Sequence, residues 1–216
     1  GADSGYSNAD GLVERVGAVN AIVVQADGRI VVGGDFERVQ GEPRQALARI
    51  LPHGTLDEPF NAHLLEGGIV NALALQPGGE LIVGGRFAVH GRSQENLIRL
   101  TADGHLDPTF DPNAGPNGEV YCLALEPGGH LVVGGQFDVV GGVACDRLAR
   151  LDPFGVVDSG FVPRLTARVD TPDVYALAAQ ANGLVIIGGY FDAVNGESRT
   201  GLARLRRDGS VDLGFG

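Results

Sequence analysis

The sequence predicts an all-β protein, a β-propeller of four blades, each made of roughly fifty residues in short antiparallel strands. Three observations carry this. The passage Val19-Asn20-Ala21-Ile22-Val23-Val24-Gln25 returns at Val70 to Gln76, Val120 to Glu126 and Val174 to Gln180. A fixed period of this size marks solenoids, propellers or arrays, whose units bury their faces only against neighbours. Within each repeat the apolar runs are short, rich in Val, Ile and Leu, and bounded by Gly, Pro, Asn and Asp; none is periodic enough for a helix. The first two runs are apolar at odd and even positions alike, so both faces of each sheet must be covered. The repeats divide one domain, 1–216, into blades at 19–69, 70–119, 120–173 and 174–216, four-bladed if the chain closes alone.

Each repeat opens on the apolar run, which reads as the first strand. A turn follows at Ala26-Asp27-Gly28, Pro77-Gly78-Gly79, Pro127-Gly128-Gly129 and Ala181-Asn182-Gly183, where Gly and Asn tolerate the positive φ of a tight hairpin. The second strand ends in Gly-Gly-x-Phe: Ile30 to Phe36, Leu81 to Phe87, Leu131 to Phe137, and Leu184 to Phe191, the last with one residue more ahead of its Gly pair. A polar, Gly-bearing loop comes next. The third strand closes on Arg at Leu47 to Ile50, Leu97 to Leu100, Leu148 to Leu151 and Leu202 to Leu205. Gly-x-Leu/Val-Asp-x-x-Phe then ends each unit, at Gly54 to Phe60, Gly104 to Phe110, Gly155 to Phe161 and Gly209 to Phe215. Gly supplies 35 of 216 residues, more than twice the usual ~7%, at fixed repeat positions; these read as turn and close-approach residues.

Arg49, Arg99, Arg150 and Arg204 share one repeat position, and Asp57, Asp107, Asp158 and Asp212 another, across a tight turn. A bidentate Arg–carboxylate pair within each blade is the expectation, fixing the corner after the third strand. The alternative is four copies of a charged-ligand site. A residue needed once per unit is usually a unit-building residue. By the same reasoning Phe36, Phe87, Phe137 and Phe191, and Phe60, Phe110, Phe161 and Phe215, read as inter-blade core.

His53, His63, His90, His105 and His130 share no repeat position and match no catalytic or metal spacing. Gly-x-Ser-x-Gly, a Walker loop, a zinc ligand set and a paired-carboxylate motif are all missing from the sequence, so the chain reads as not an enzyme. The most oxygen-rich loop runs from Asp111 to Glu119. Asp111, Asn113, Asn117 and Glu119 are weak Ca²⁺ candidates, because hard oxygen donors suit that ion. The loop lacks EF-hand spacing, and turn-forming composition accounts for it equally well.

The net charge of −11 argues against nucleic acid and anionic membranes as partners. No apolar stretch approaches the length that spans a bilayer, and there is no signal peptide. The absence of Met reads as a processed, excised or trimmed segment. Two cysteines, Cys122 and Cys145, fall in the third repeat at positions where the others have different residues, so the fold does not require them. A disulfide and a free buried thiol at Cys122 are both open. Ala2-Asp3-Ser4-Gly5-Tyr6 matches Val157 to Phe161, so the register is cyclic. Either the segment 2–6 closes a ring beside the last blade, or the chain continues a longer array.

The pattern V-N-A-L-A-L-Q-P-G-G-x-L-I-V-G-G-x-F, followed by L-x-R-L-x-x-D-G-x-L-D-x-x-F, is almost intact in residues 70–110. It resembles the delta-60 repeat, a bacterial β-propeller repeat of unknown function, and the resemblance covers 19–215 and the fragment 2–6. Pro-His-Gly at 52–54 and Pro-Phe-Gly at 153–155 depart from its Asp-Gly turn. The resemblance implies a secreted or cell-surface bacterial protein. It implies no activity, and no catalytic residue carries over.

The expected function is therefore a non-enzymatic structural, adhesion or protein-interaction module. Its expected partners are proteins, cell-surface glycans or other copies of itself, joined end to end. The alternative is a lectin-like propeller binding glycans at the rim loops 37–46, 88–96, 138–147 and 192–201, which share little beyond a Gly and carry no Trp. A channel-centred enzyme is the third reading, on poor ground, because four near-identical blades make a symmetric and mostly apolar channel.

Overall fold

The computed structural model describes residues 17–65, 67–91, 95–113 and 115–215, and among them there are strands but no helix. The fragment 2–6 lies outside the described residues. Four three-stranded antiparallel sheets follow one another along the chain. Blade 1 holds Ala18–Val24, Ile30–Asp35 and Leu47–Ile50. Blade 2 holds Ile69–Leu75, Leu81–Ala88 and Glu95–Leu100. Blade 3 holds Glu119–Leu125, Leu131–Gln136 and Leu148–Leu151, and blade 4 holds Asp173–Ala179, Val185–Tyr190 and Leu202–Leu205. In every blade the second strand lies in the middle.

The final Leu/Val-Asp run adds no full strand. It touches the third strand through a single bridge: Ile50 to Leu56, Leu100 to Leu106, Leu151 to Val157 and Leu205 to Val211. The run turns away at once, because the Asp carbonyl takes the Phe amide, as in Asp57 O to Phe60 N at 3.2 Å. The fourth blade's second strand starts at Val185, which pairs with Leu205 as Ile30 does with Ile50. Leu184 is thus the last residue of the turn rather than an extra strand residue, and the four strands have one register.

Each first strand carries a bulge against its Gly pair, at Asn20, Asn71, Tyr121 and Tyr175. A bulge inserts one unpaired residue and re-aims its side chain. It also resets the alternation, so that Val70, Leu73 and Leu75 come to share one face.

Successive blades pack face to face, 1 on 2, 2 on 3 and 3 on 4, and the core divides into the layers between them. The packing is a knob in a socket. The first Gly of the pair in one blade receives the first-strand Val of the next. A Cβ on Gly84 would stand 2.7 Å from Val120 Cγ1, and one on Gly134 2.7 Å from Val174 Cγ1. Gly33 receives Val70 in the same way. Val70, Val120 and Val174 are all fully buried at 0% exposure. Burial of a Val side chain contributes about 1.5–3 kcal/mol. The second aromatic position fills the same layers: Phe60, Phe110 and Phe161 each pack with residues of the following blade.

The rim loops are more alike than their sequences suggest. Three fold as two-residue hairpins: Arg38–Val39 with Glu42–Pro43, Val139–Val140 with Val143–Ala144, and Ala193–Val194 with Glu197–Ser198. Their turns place two successive residues at positive φ: Gln40 and Gly41, Gly141 and Gly142, Asn195 and Gly196. The chain arriving from the preceding blade adds a further bridge, Leu64 to Val89 and Pro116 to Val140, or a short strand, Leu165–Thr166 on Ala193–Val194.

Candidate functional site

The recurring Arg and Asp meet in every blade. The Arg Nε donates to Asp Oδ2 at 2.8 Å in Arg49–Asp57, Arg99–Asp107 and Arg204–Asp212, and at 2.9 Å in Arg150–Asp158. The expected fork onto two carboxylate oxygens is not what forms. One oxygen takes the guanidinium, and in blades 2, 3 and 4 the other accepts a backbone amide two residues on, from Thr109, Gly160 and Gly214. Each guanidinium also lies over the Phe that ends its own repeat, with Cζ 4.4 Å from the Phe60 centroid and 5.0, 4.9 and 4.6 Å from those of Phe110, Phe161 and Phe215. A cation over a ring face is attracted by the ring quadrupole.

The same Arg then reaches across to the next blade. Arg49 Nη1 donates to Ala102 O at 2.5 Å, and Arg99 Nη1 donates to Pro153 O at 2.6 Å. Gln25 and Gln76 stand beside these bonds. Arg150 departs from the pattern, turning toward Glu126 at 3.9 Å. Gln180 Oε1, the blade 4 counterpart of the Gln25 and Gln76 oxygens, is buried without a partner.

Asp158 is held below the ordinary carboxylate pKa first by its hydrogen bond from Arg150, against a smaller effect of burial. For Asp107 burial pushes upward, and the Thr109 hydroxyl and amide with the Arg99 charge outweigh it, so the net displacement is again downward. A depressed folded pKa contributes stability that is present above the unfolded value and lost as pH falls through the folded one. Thermal stability is therefore expected to hold from neutrality to about pH 4 and then to fall steeply. Melting curves between pH 6 and pH 2 check this; a flat profile down to pH 2.5 would contradict the structural weight of the pairs.

The bulges gather a second set of residues at the inner edge of the blades. Asn20 Nδ2 donates to Val70 O at 3.2 Å, and Asn71 Nδ2 to Val120 O and Glu119 Oε1, both at 2.9 Å. Tyr121 and Tyr175 pair with ring centroids 5.5 Å apart. The Tyr175 hydroxyl donates to Asp173 Oδ2 at 3.2 Å, while Asp173 Oδ1 is buried without a partner. Burial pushes the Asp173 carboxyl and the Tyr121 hydroxyl upward, Tyr121 with help from Glu119 and Asp173. Amides, phenols and two carboxylates in this arrangement can hold neighbouring blades in register and hydrogen-bond a polar ligand.

Three of the four calcium candidates have side-chain bonds of their own. Asp111 Oδ1 caps its own turn by accepting the Asn113 amide at 2.8 Å. Asn117 bonds Asp138 and the Val139 amide, and Glu119 bonds Asn71 and faces Arg86 at 3.9 Å. Among the described residues no three His, Cys, Asp or Glu side chains lie close enough to share a metal ion. Four of the histidines are exposed and His130 is half-buried, none sharing a cluster.

Cys122 and Cys145 are both free thiols. Burial pushes Cys122 up to about 12, and its Sγ points at Val174 O, 3.5 Å away in the next blade. The thiolate is the reactive form. Cys122 is expected to resist a thiol reagent at pH 8 until the chain unfolds; mass spectrometry of the native, alkylated protein checks it.

The feature that sequence reading missed is the pair of outer sheet faces. On blade 1, Val19, Ile22 and Val24 are 52%, 62% and 60% exposed, although their counterparts in later blades are packed. On blade 4, Leu202 is 52% exposed, whereas Leu47, Leu97 and Leu148 at the same position are at most 2% exposed. Repeats of one sequence give no signal of this, because the neighbour, not the residue, decides the burial.

Two solved structures with this fold are a virginiamycin B lyase from Staphylococcus aureus (13% identity, TM-score 0.56, 95% of this chain and 60% of that one) and a gluconolactonase from Xanthomonas campestris (19% identity, TM-score 0.51, 89% of this chain and 60% of that one). The chain thus spans about three-fifths of the length of the structures it matches. At these identities the likeness is one of fold. No curated protein matches the sequence. The profile of a β-propeller domain of unknown function, DUF5122, matches residues 25–60, 76–110, 127–161 and 180–215, once in every blade. The Gly-Gly-x-Phe strand, the Arg–Asp corner and the closing Phe described above all fall inside those four segments, and the chain belongs to the DUF5122 β-propeller family.

Proposed function

We propose that this chain is a non-catalytic propeller module that acts through protein contacts, secreted by or displayed on a bacterial cell. One observation carries the reading. The recurring charged side chains are engaged in the framework, Arg to Asp and Phe within a blade and, from Arg49 and Arg99, to a backbone carbonyl of the next blade, while apolar side chains stand exposed on the sheets of blade 1 (Val19, Ile22, Val24) and blade 4 (Leu202). Chemistry on a substrate needs titratable groups that converge on a reacting atom. Contact with a protein needs an apolar patch with a polar rim.

The test is turnover. The 216-residue chain is assayed on gluconolactone and on virginiamycin B, the compounds in the names of the two proteins of like fold, with and without divalent metal. No turnover is expected. Metal-dependent turnover that disappears in Glu119→Gln would overturn the reading. A glycan ligand is the second reading, and the Tyr121–Tyr175 pair favours it, since sugars stack on such rings. The described rim hairpins carry no aromatic side chain, so binding on a glycan array is expected to be lost in Tyr175→Ala and to ignore changes in the hairpins.

A further inference from the structure

We infer that the bare face of blade 1 docks into the bare face of blade 4 of a second copy of this chain, head to tail, repeating the interface that joins the blades within one copy. The inference rests on the protein-contact reading above and names the partner.

The two faces are the halves of a joint that the chain itself makes three times. Inside the chain the following blade always presents the knob, Val70, Val120 or Val174, and the preceding blade always presents the socket, Gly33, Gly84 or Gly134. Among the described residues blade 1 has a knob with no socket: Val19, flanked on the same face by Ile22 and Val24, stands exposed. Among the described residues blade 4 has a socket with no knob. A Cβ on Gly188 would meet only Ala176 Cβ at 3.6 Å and two backbone oxygens at 3.9 and 4.0 Å, none of them from another blade. Ala176, Ala178 and Leu202 lie exposed on that sheet.

The polar part of the joint is also split between the ends. Arg49 and Arg99 each donate Nη1 to a turn carbonyl of the next blade. Arg204 makes its Asp212 pair and its Phe215 contact, and Gln180 Oε1, at the repeat position of Gln25 and Gln76, is buried without a partner. The carbonyl at the matching position in blade 1 is that of Pro52, in an exposed turn residue. A second copy would bring Pro52 O to Arg204 and bury Val19, Ile22 and Val24 against Gly188, Ala178 and Leu202. Two unlike surfaces that fit give a heterologous contact, which closes a ring if the rotation permits and otherwise extends a filament.

The decisive measurement is the native mass of the 216-residue chain by size exclusion with light scattering, over a hundredfold range of concentration. A species of at least twice the 22.4 kDa chain mass is expected. Val19→Asp and Gly188→Val are each expected to give monomers with unchanged circular dichroism and melting, because both sites are open in the single chain. An equimolar mixture of the two variants is expected to recover a species of two chains and no more, since each keeps the face that the other lacks. A wild type that stays monomeric throughout overturns the inference, as does a wild-type assembly that survives both substitutions. A monomer with no turnover leaves the protein-contact reading standing, whereas turnover removes that reading whatever the mass, so the two failures are distinguishable.

Discussion

Gly85→Ala is expected to cost about 3 kcal/mol or more and to lower the melting temperature by roughly 6–12 °C. Gly85 is the second glycine of the blade 2 pair, and an added Cβ would collide with Ile69 O and stand 2.9 Å from Val70 Cα. Those atoms are backbone, and the pairs Ile69 to Arg86 and Val70 to Gly85 fix them in the ladder. No side chain can rotate aside, so relief requires the bulge at Asn71 to open. Opening it would move the Asn71 amide off Val120 O and weaken the contact with blade 3. Gly34, Gly135 and Gly189 meet the matching carbonyls of Ala18, Glu119 and Asp173, so the cost recurs in every blade. Gly188→Ala is the control. Its nearest neighbour would be 3.6 Å away, an ordinary contact, and its effect should be small. Thermal and urea melts of the two variants decide it. A Gly85→Ala chain as stable as Gly188→Ala would show that the close approach is not what excludes a side chain there.

The contrast shows which parts of the fold were legible in the sequence. A glycine pair recurring four times announces a backbone constraint, and the Phe after it announces a core position. What the letters do not carry is which partner each glycine meets. Gly84 is a socket for another blade and Gly85 a close approach within its own, though they are neighbours in sequence. The Arg–Asp pair was readable from its constant spacing. The bond that the same Arg makes to Ala102 O or Pro153 O was not, because a carbonyl acceptor has no residue type. The rim hairpins were hidden for a similar reason. Gln40-Gly41, Gly141-Gly142 and Asn195-Gly196 share a backbone conformation, not a side chain. The oxygen-rich loop is the reverse case: Asn117 and Glu119 carry donor atoms suited to a cation, and in the structure they bond Asp138, the Val139 amide and Asn71 and face Arg86.

Arg99→Ala is expected to destabilise by about 3 kcal/mol, because it removes one partner from a largely buried ion pair and leaves the other uncompensated. The side chains of Arg99 and Asp107 are only 9% and 12% exposed. The substitution also strips Thr109 of a donor at 2.8 Å, takes the cation off the Phe110 ring, and leaves Pro153 O in the joint to blade 3 without its bond. Arg99→Lys should recover little, since one ammonium cannot serve Asp107, Thr109 and Pro153 O together in the guanidinium's planar geometry. Pairing Arg99→Ala with Asp107→Asn should recover part of the loss by removing the orphaned charge. Arg204→Ala is the internal comparison. Arg204 has the same Asp and the same Phe, but it is more exposed, at 24%, and lies at the end face. Its substitution should cost clearly less in the single chain. If the two Arg→Ala variants melt together, the cross-blade bond contributes nothing and each bracket serves its own blade alone. If Arg99→Ala is the more damaged, the bond to Pro153 O ties blade 2 to blade 3, and Arg204 at the end face holds the bracket of its own blade without that bond.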